Sequence, residues 1–105
     1  MGKPEGAVEN YLIKQADVHD SLFYKFSAWG KTGVPDRIII GHGRTVFVEL
    51  KAPGEEPRRL QKEVIKEMRE HGAIVCVIDT KAGIDDFFRH LENHTIDTYE
   101  GTITL

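Results

Sequence analysis

The sequence predicts an α/β domain: a small mixed β-sheet flanked by helices, in the order α-β-β-β-α-β-α. Three observations lead there. Residues 36–40 and 45–51 are strand-like runs joined by Gly41-His42-Gly43-Arg44, the pattern of a tight antiparallel hairpin. The wholly apolar run 73–78 has the composition of a central strand covered on both faces. Between them, residues 57–71 carry helical spacing. Strand, helix and strand then make a β-α-β unit with parallel strands and a right-handed crossover.

The remaining elements follow in order. Residues 4 to about 20 read as a helix, with Pro4 at an early position and Val8, Tyr11, Leu12, Gln15 and Val18 as an imperfect apolar stripe. Glu9 falls at the edge of that stripe. Residues 22–26 are aromatic and alternate as a strand does, with Phe23 and Lys25 on one side. Residues 27–35 hold two glycines and a proline and form a constrained loop. After the second and third strands and a loop through Pro53 and Gly54, Pro57 opens the next helix. Its inner stripe is Leu60, Val64, Met68 and His71, widened by Ile65, and Gly72 stops it. Asp79 or Thr80 caps a last helix over residues 82–90, where Ile84, Phe87, Phe88 and Leu91 are helically spaced. Residues 96–105 alternate only in part and are either an added strand or hairpin or a tail.

At 105 residues the chain is one domain, 1–105, with no repeat, linker or low-complexity segment. No run approaches the roughly 18 apolar residues of a membrane span, and the opening six residues lack the pattern of a secretory leader. The single cysteine, Cys76, sits in the apolar run and reads as a core thiol. With no internal disulfide possible, a reducing compartment fits. The net charge of −3 is unevenly spread. Residues 1–62 hold ten Lys/Arg against eight Asp/Glu, a balance of +2; residues 63–105 hold four against nine, a balance of −5. A nucleic acid needs a positive face, not a positive protein.

Chemistry concentrates at the hairpin. Asp36 opens the second strand after a turn proline, and Glu49 and Lys51 share one face of the third strand. Two ionisable groups at the end of an apolar strand are costly unless something repays their burial. Carboxylates converging from adjacent strands suit Mg²⁺ or Mn²⁺. Such an ion polarises a phosphodiester and acidifies a bound water, while Lys51 balances charge on phosphorus. A lone Glu-x-Lys is usually a solvated strand face, and the residues alone leave both readings open.

Gly33-Val34-Pro35-Asp36, Phe47-Val48-Glu49-Leu50-Lys51 and Gln61 in the following helix together resemble the virus-type replication-repair nuclease (VRR-NUC) domain of the PD-(D/E)xK nuclease superfamily. The likeness runs from about residue 4 to 91 and leaves 92–105 as a C-terminal extension. It implies a restriction-endonuclease-like core. It also implies Asp36, Glu49 and the Leu50 carbonyl as metal ligands and Lys51 as the catalytic lysine. Glu9 is implied as a ligand, direct or through water, and Gln61 as a group orienting Lys51, the water or the nucleic acid. Short members of the family resemble homodimeric Holliday-junction resolvases, so the implied activity is metal-dependent cutting of DNA, four-way junctions above all. A restriction-like enzyme reading one base sequence, or a non-catalytic binding module, are the alternatives.

Other residues are weaker signals. Lys31, Arg58, Arg59 and Lys62 are candidate phosphate contacts, or simply solvated cations. Gly30-Lys31-Thr32 lacks the upstream glycine of a phosphate loop. Trp29 reads as a core residue or, alternatively, as one that stacks on an exposed base. His90 and His94 have ligand spacing, but the helix is expected to end before His94, which sets zinc aside.

Overall fold

The structure, a computed structural model, describes residues 4–105. Residues 1–3, part of the segment read as lacking a secretory leader, lie outside the described residues. Eight elements follow in order: α1 (Pro4–Val18), β1 (Leu22–Lys25), β2 (Arg37–Gly41), β3 (Arg44–Leu50), α2 (Arg59–Glu70), β4 (Val75–Ile78), α3 (Lys81–Glu92) and a 3-10 turn (Ile96–Thr98). The four strands form one mixed sheet in the order β1-β2-β3-β4. β1, β2 and β3 run antiparallel in turn, and β3 and β4 run parallel, as the β-α-β reading requires.

The sheet is a layer between helices, and the period of two decides what each face receives. Val46, Val48 and Leu50 of β3, with Ile39, Cys76 and Ile78, pack against Val8, Leu12 and Ala16 of α1 and Ile84, Phe87, Phe88 and Leu91 of α3. The opposite face receives Ile65 and Met68 of α2, against Val75, Val77 and Phe47. α1 departs from its expected stripe. The buried row is the strict four-residue series Val8, Leu12, Ala16, whereas Val18 is 64% exposed. At 100° per residue Val18 has turned away from that row.

The hairpin turn is dictated locally. Gly41 pairs with Arg44, and the two residues between them, His42 and Gly43, both have positive φ (52° and 81°). That is the two-residue connection whose twist suits antiparallel strands.

α2 starts two residues later than its proline suggests. Pro57 is buried ahead of the helix, and Arg58 is the N-cap in extended backbone. The reason is Gln61, whose Oε1 accepts the Arg58 N–H at 2.8 Å and satisfies an end donor there. Leu60 and His71 belong to the expected inner stripe but are exposed.

β4 is buried on both faces, yet it is not central. It is the last strand of the sheet, and its outer edge is covered by the C-terminal segment. The Val77 N–H donates to the Glu100 carbonyl at 2.9 Å, and the Thr102 N–H donates back to the Val77 carbonyl at 2.9 Å. The segment left open by the sequence is thus neither a hairpin nor a loose tail. Ile96 is fully buried and Gly101 forms a single bridge to Val77. α3 starts as expected, with Thr80 Oγ1 accepting the Gly83 N–H at 3.0 Å. Cys76 is a core thiol, 0% exposed, and its Sγ donates to the Tyr99 carbonyl at 3.2 Å.

Candidate active site

The site lies at one end of the sheet, where β2 begins and β3 finishes. Asp36 immediately precedes β2, and its carbonyl accepts the Phe26 N–H at 2.7 Å, tying the start of β2 to the end of β1. Its carboxylate is 60% exposed. Glu49 is one residue from the end of β3, facing α2, and is only 6% exposed. Burial pushes its carboxyl above the usual range. Lys51 opposes that shift, and the negative charge of Asp36 adds to it, so the two carboxylates feel each other.

Glu49 is held from two sides. Lys51 Nζ lies 3.4 Å from Glu49 Oε2, with its side chain 13% exposed. Gln61 Nε2 donates to the same oxygen at 3.2 Å. Gln61 therefore has two attachments: its amide nitrogen goes to Glu49 and its amide oxygen to the start of α2. The position of the Glu49 carboxylate is coupled to where α2 begins.

Glu9 lies across the sheet end from this trio. Its carboxylate accepts from Arg37 Nε at 2.5 Å and sits 3.6 Å from Lys25 Nζ. Arg37 Nη1 donates to Asp36 Oδ1 at 2.5 Å. One guanidinium, on a residue only 8% exposed, thus links the α1 acid to the hairpin acid. Among the described residues no three His, Cys, Asp or Glu side chains converge as a metal cluster. The structure brings Asp36, Glu49, Lys51 and Gln61 to one sheet end and joins Glu9 to it through Arg37. The carboxylates of Asp36 and Glu49 are oxygen donors, the chemistry that would suit a hard divalent cation keeping several waters.

Arg37 is the residue that sequence reasoning missed. Its signal was available: in Arg37-Ile38-Ile39-Ile40 it has the same parity as Ile39, which is fully buried. An inward charge in an apolar strand requires a partner.

The phosphate-contact candidates are outside the trio. Lys31, Arg58 and Arg59 are exposed, Arg59 pairs with Glu63 at 3.2 Å, and Lys62 lies 3.4 Å from Glu56. Trp29 is 100% exposed, which removes it from the core. α3 ends at Glu92, before His94, while His90 stacks on Tyr99 and bonds Thr95 Oγ1 at 2.7 Å.

No family model matches the sequence. A curated phage protein named "Putative nuclease p44", from Acyrthosiphon pisum secondary endosymbiont phage 1, is 35% identical over 74 residues. The match covers 70% of this chain and 73% of that protein. A solved structure described as a VRR_NUC domain is similar with a TM-score of 0.78 at 27% identity, over 85% of this chain and 98% of that one.

Proposed function

The chain belongs to the VRR-NUC family of nucleases, and we propose that it is a Mg²⁺- or Mn²⁺-dependent endonuclease that cuts branched DNA as a homodimer. The observation that carries the reading is Glu49: a buried carboxylate at a sheet end, coupled to Asp36 and flanked by a nearly buried lysine. A strand face made only for solvent has no reason to bury that pair.

In this reading Asp36, Glu49 and the Leu50 carbonyl hold the cation, and Glu9 supports it by fixing Arg37 or through a water. The bound ion supplies polarisation of the scissile phosphodiester and a more acidic water. Gln61 keeps Glu49 oriented toward the ion. Lys51 supplies positive charge where a phosphoryl oxygen gains negative charge. A water oxygen bonds to phosphorus, the bond to the leaving sugar oxygen breaks, and that oxygen takes up a proton. Lys31, Arg58, Arg59 and Lys62 contact backbone phosphates, a role open to exposed cations beside a helix start.

Four-way junctions are the expected substrate because their resolution needs two matched cuts, and a twofold dimer carries two centres in matching orientation. Labelled duplex, fork, flap and four-way-junction DNA, each with metal or with EDTA, test the reading. Metal-dependent cutting strongest on the junction is expected. No cutting of any of the four would remove the enzymatic function, and equal cutting of linear duplex would remove the shape preference.

A further inference from the structure

Trp29 is the one tryptophan of the chain, and it is completely exposed. The backbone that carries it is nevertheless closed and anchored. The Lys31 N–H donates to the Ala28 carbonyl at 3.2 Å, closing a four-residue turn with Trp29 at its second position. Gly30, the third, has φ 74°, the left-handed conformation that a type II turn requires there. The indole is therefore presented at the outer corner of a closed turn.

The ends of the loop are anchored. Phe26 packs edge-on against Phe47, with ring centroids 5.4 Å apart, and Pro35 is buried. Gly33, with φ 87°, is seated so closely on α2 that an added Cβ would stand 3.2 Å from Leu60 and 3.3 Å from Val64. The Phe26 N–H to Asp36 carbonyl bond closes the base of the loop at the candidate metal ligand. An exposed indole thus projects from a backbone-anchored loop whose last residue precedes Asp36. Exposed Lys31 lies two residues away, and the cationic start of α2 lies beneath.

A large aromatic surface left wholly in water is unfavourable, and a closed turn that sets its backbone leaves both indole faces open to a partner. We infer that Trp29 is a stacking platform for an unpaired nucleobase, with Lys31 on the adjoining phosphate, and that it selects DNA with opened or branched strands over continuous duplex. In duplex each base is already stacked on its neighbours. At a branch point or in a single strand a base face is free, and every base offers one, so the contact tolerates any sequence. This inference rests on the nuclease reading of the neighbouring site.

The test uses Trp29 as its own reporter. The protein in EDTA, where metal-dependent cutting is suppressed, is titrated with a single-stranded oligonucleotide, its duplex and a four-way junction. Quenching of the indole emission by the single strand and the junction, and little by duplex, is expected. Trp29→Ala should weaken binding of the single strand and the junction by about ten-fold or more, with duplex little changed and Trp29→Phe recovering most of the loss. Unchanged emission at saturating junction, together with Trp29→Ala binding as the unsubstituted protein does, would overturn the inference. So would an emission change on diluting the protein without DNA, which would assign the indole to a contact between two copies. Cutting is then assayed separately with Mn²⁺. Quenching without cutting would leave the stacking platform and remove the nuclease reading; cutting without quenching would do the reverse.

Discussion

At the scale of single residues, Gln61 is the side chain on which structure and chemistry meet, since one amide both caps α2 and holds Glu49. Gln61→Ala should lower stability by about 1 kcal/mol in urea unfolding, the usual worth of a cap. It should also slow cutting about ten- to a hundred-fold, as loss of a group orienting a metal ligand does. A stability loss with unchanged cutting would leave Gln61 as a cap alone. Cys76 gives a separate residue-level consequence. Burial pushes its thiol from 9.0 up to about 12, so the fold keeps a proton that the unfolded chain releases. Its contribution to stability is complete below pH 9.0 and is lost as pH rises from there toward 12, by up to about 1.4 kcal/mol per pH unit. Tyr99 is also raised to about 12 and adds to the same alkaline decline from pH 10.0. Cys76→Val should flatten the stability curve between pH 9 and 10.5 by close to one proton; an unchanged slope would contradict the assignment. The juxtaposition of Glu49 and Lys51 was legible in the sequence because the period of two places them on one side of β3 and its continuation. The exposure of Trp29 was left as one of two readings, since tryptophan is usually well buried and no residue pattern marks the turn that presents it.

At the scale of elements, the least anticipated feature is the C-terminal cover on β4. Gly101, with φ 101°, lies so close to β4 that an added Cβ would stand 2.1 Å from the Val77 carbonyl oxygen. Gly101→Ala cannot keep this approach. It combines left-handed backbone strain with overlap against main chain and should cost about 2–4 kcal/mol. Limited proteolysis within residues 93–105 should accelerate, and the exposed β4 edge should make the protein prone to aggregate. Undiminished protection of that segment would show that the bridge does not hold it. The apolar run 73–78 correctly announced a strand covered on both faces, but composition reports burial and not the number of strand neighbours. The cover itself was illegible because a single bridge leaves no alternating pattern. By contrast, the hairpin turn and α3 were readable, since each is settled within a few residues: a glycine beside a residue tolerating positive φ, and a threonine cap before an apolar stripe.

At the scale of the whole molecule, the helices divide the labour. α1 and α3 bury one face of the sheet, while α2 covers the other and brings Gln61 to the site. The charge balance divides along the chain and not by sheet face, +2 in residues 1–62 and −5 in residues 63–105, since α1 and α3 share one face. The acidic part is expected to face away from DNA, with the N-terminal parts of two copies sharing the junction. Light scattering at micromolar concentration should give twice the monomer mass of 11.9 kDa, with and without a four-way junction. A monomer in both conditions would remove the dimer and leave a nuclease that nicks one strand. The central claim is narrower: the sheet end carrying Asp36, Glu49 and Lys51 cuts DNA with a divalent cation. It is tested most directly by incubating a labelled four-way junction with Mn²⁺ and either the unsubstituted protein or Lys51→Ala. The account predicts cutting that EDTA stops, at least a hundred-fold less cutting by Lys51→Ala, and equal junction binding and unfolding cooperativity for the two proteins. Undiminished cutting by Lys51→Ala, or no cutting by the unsubstituted protein, would contradict it.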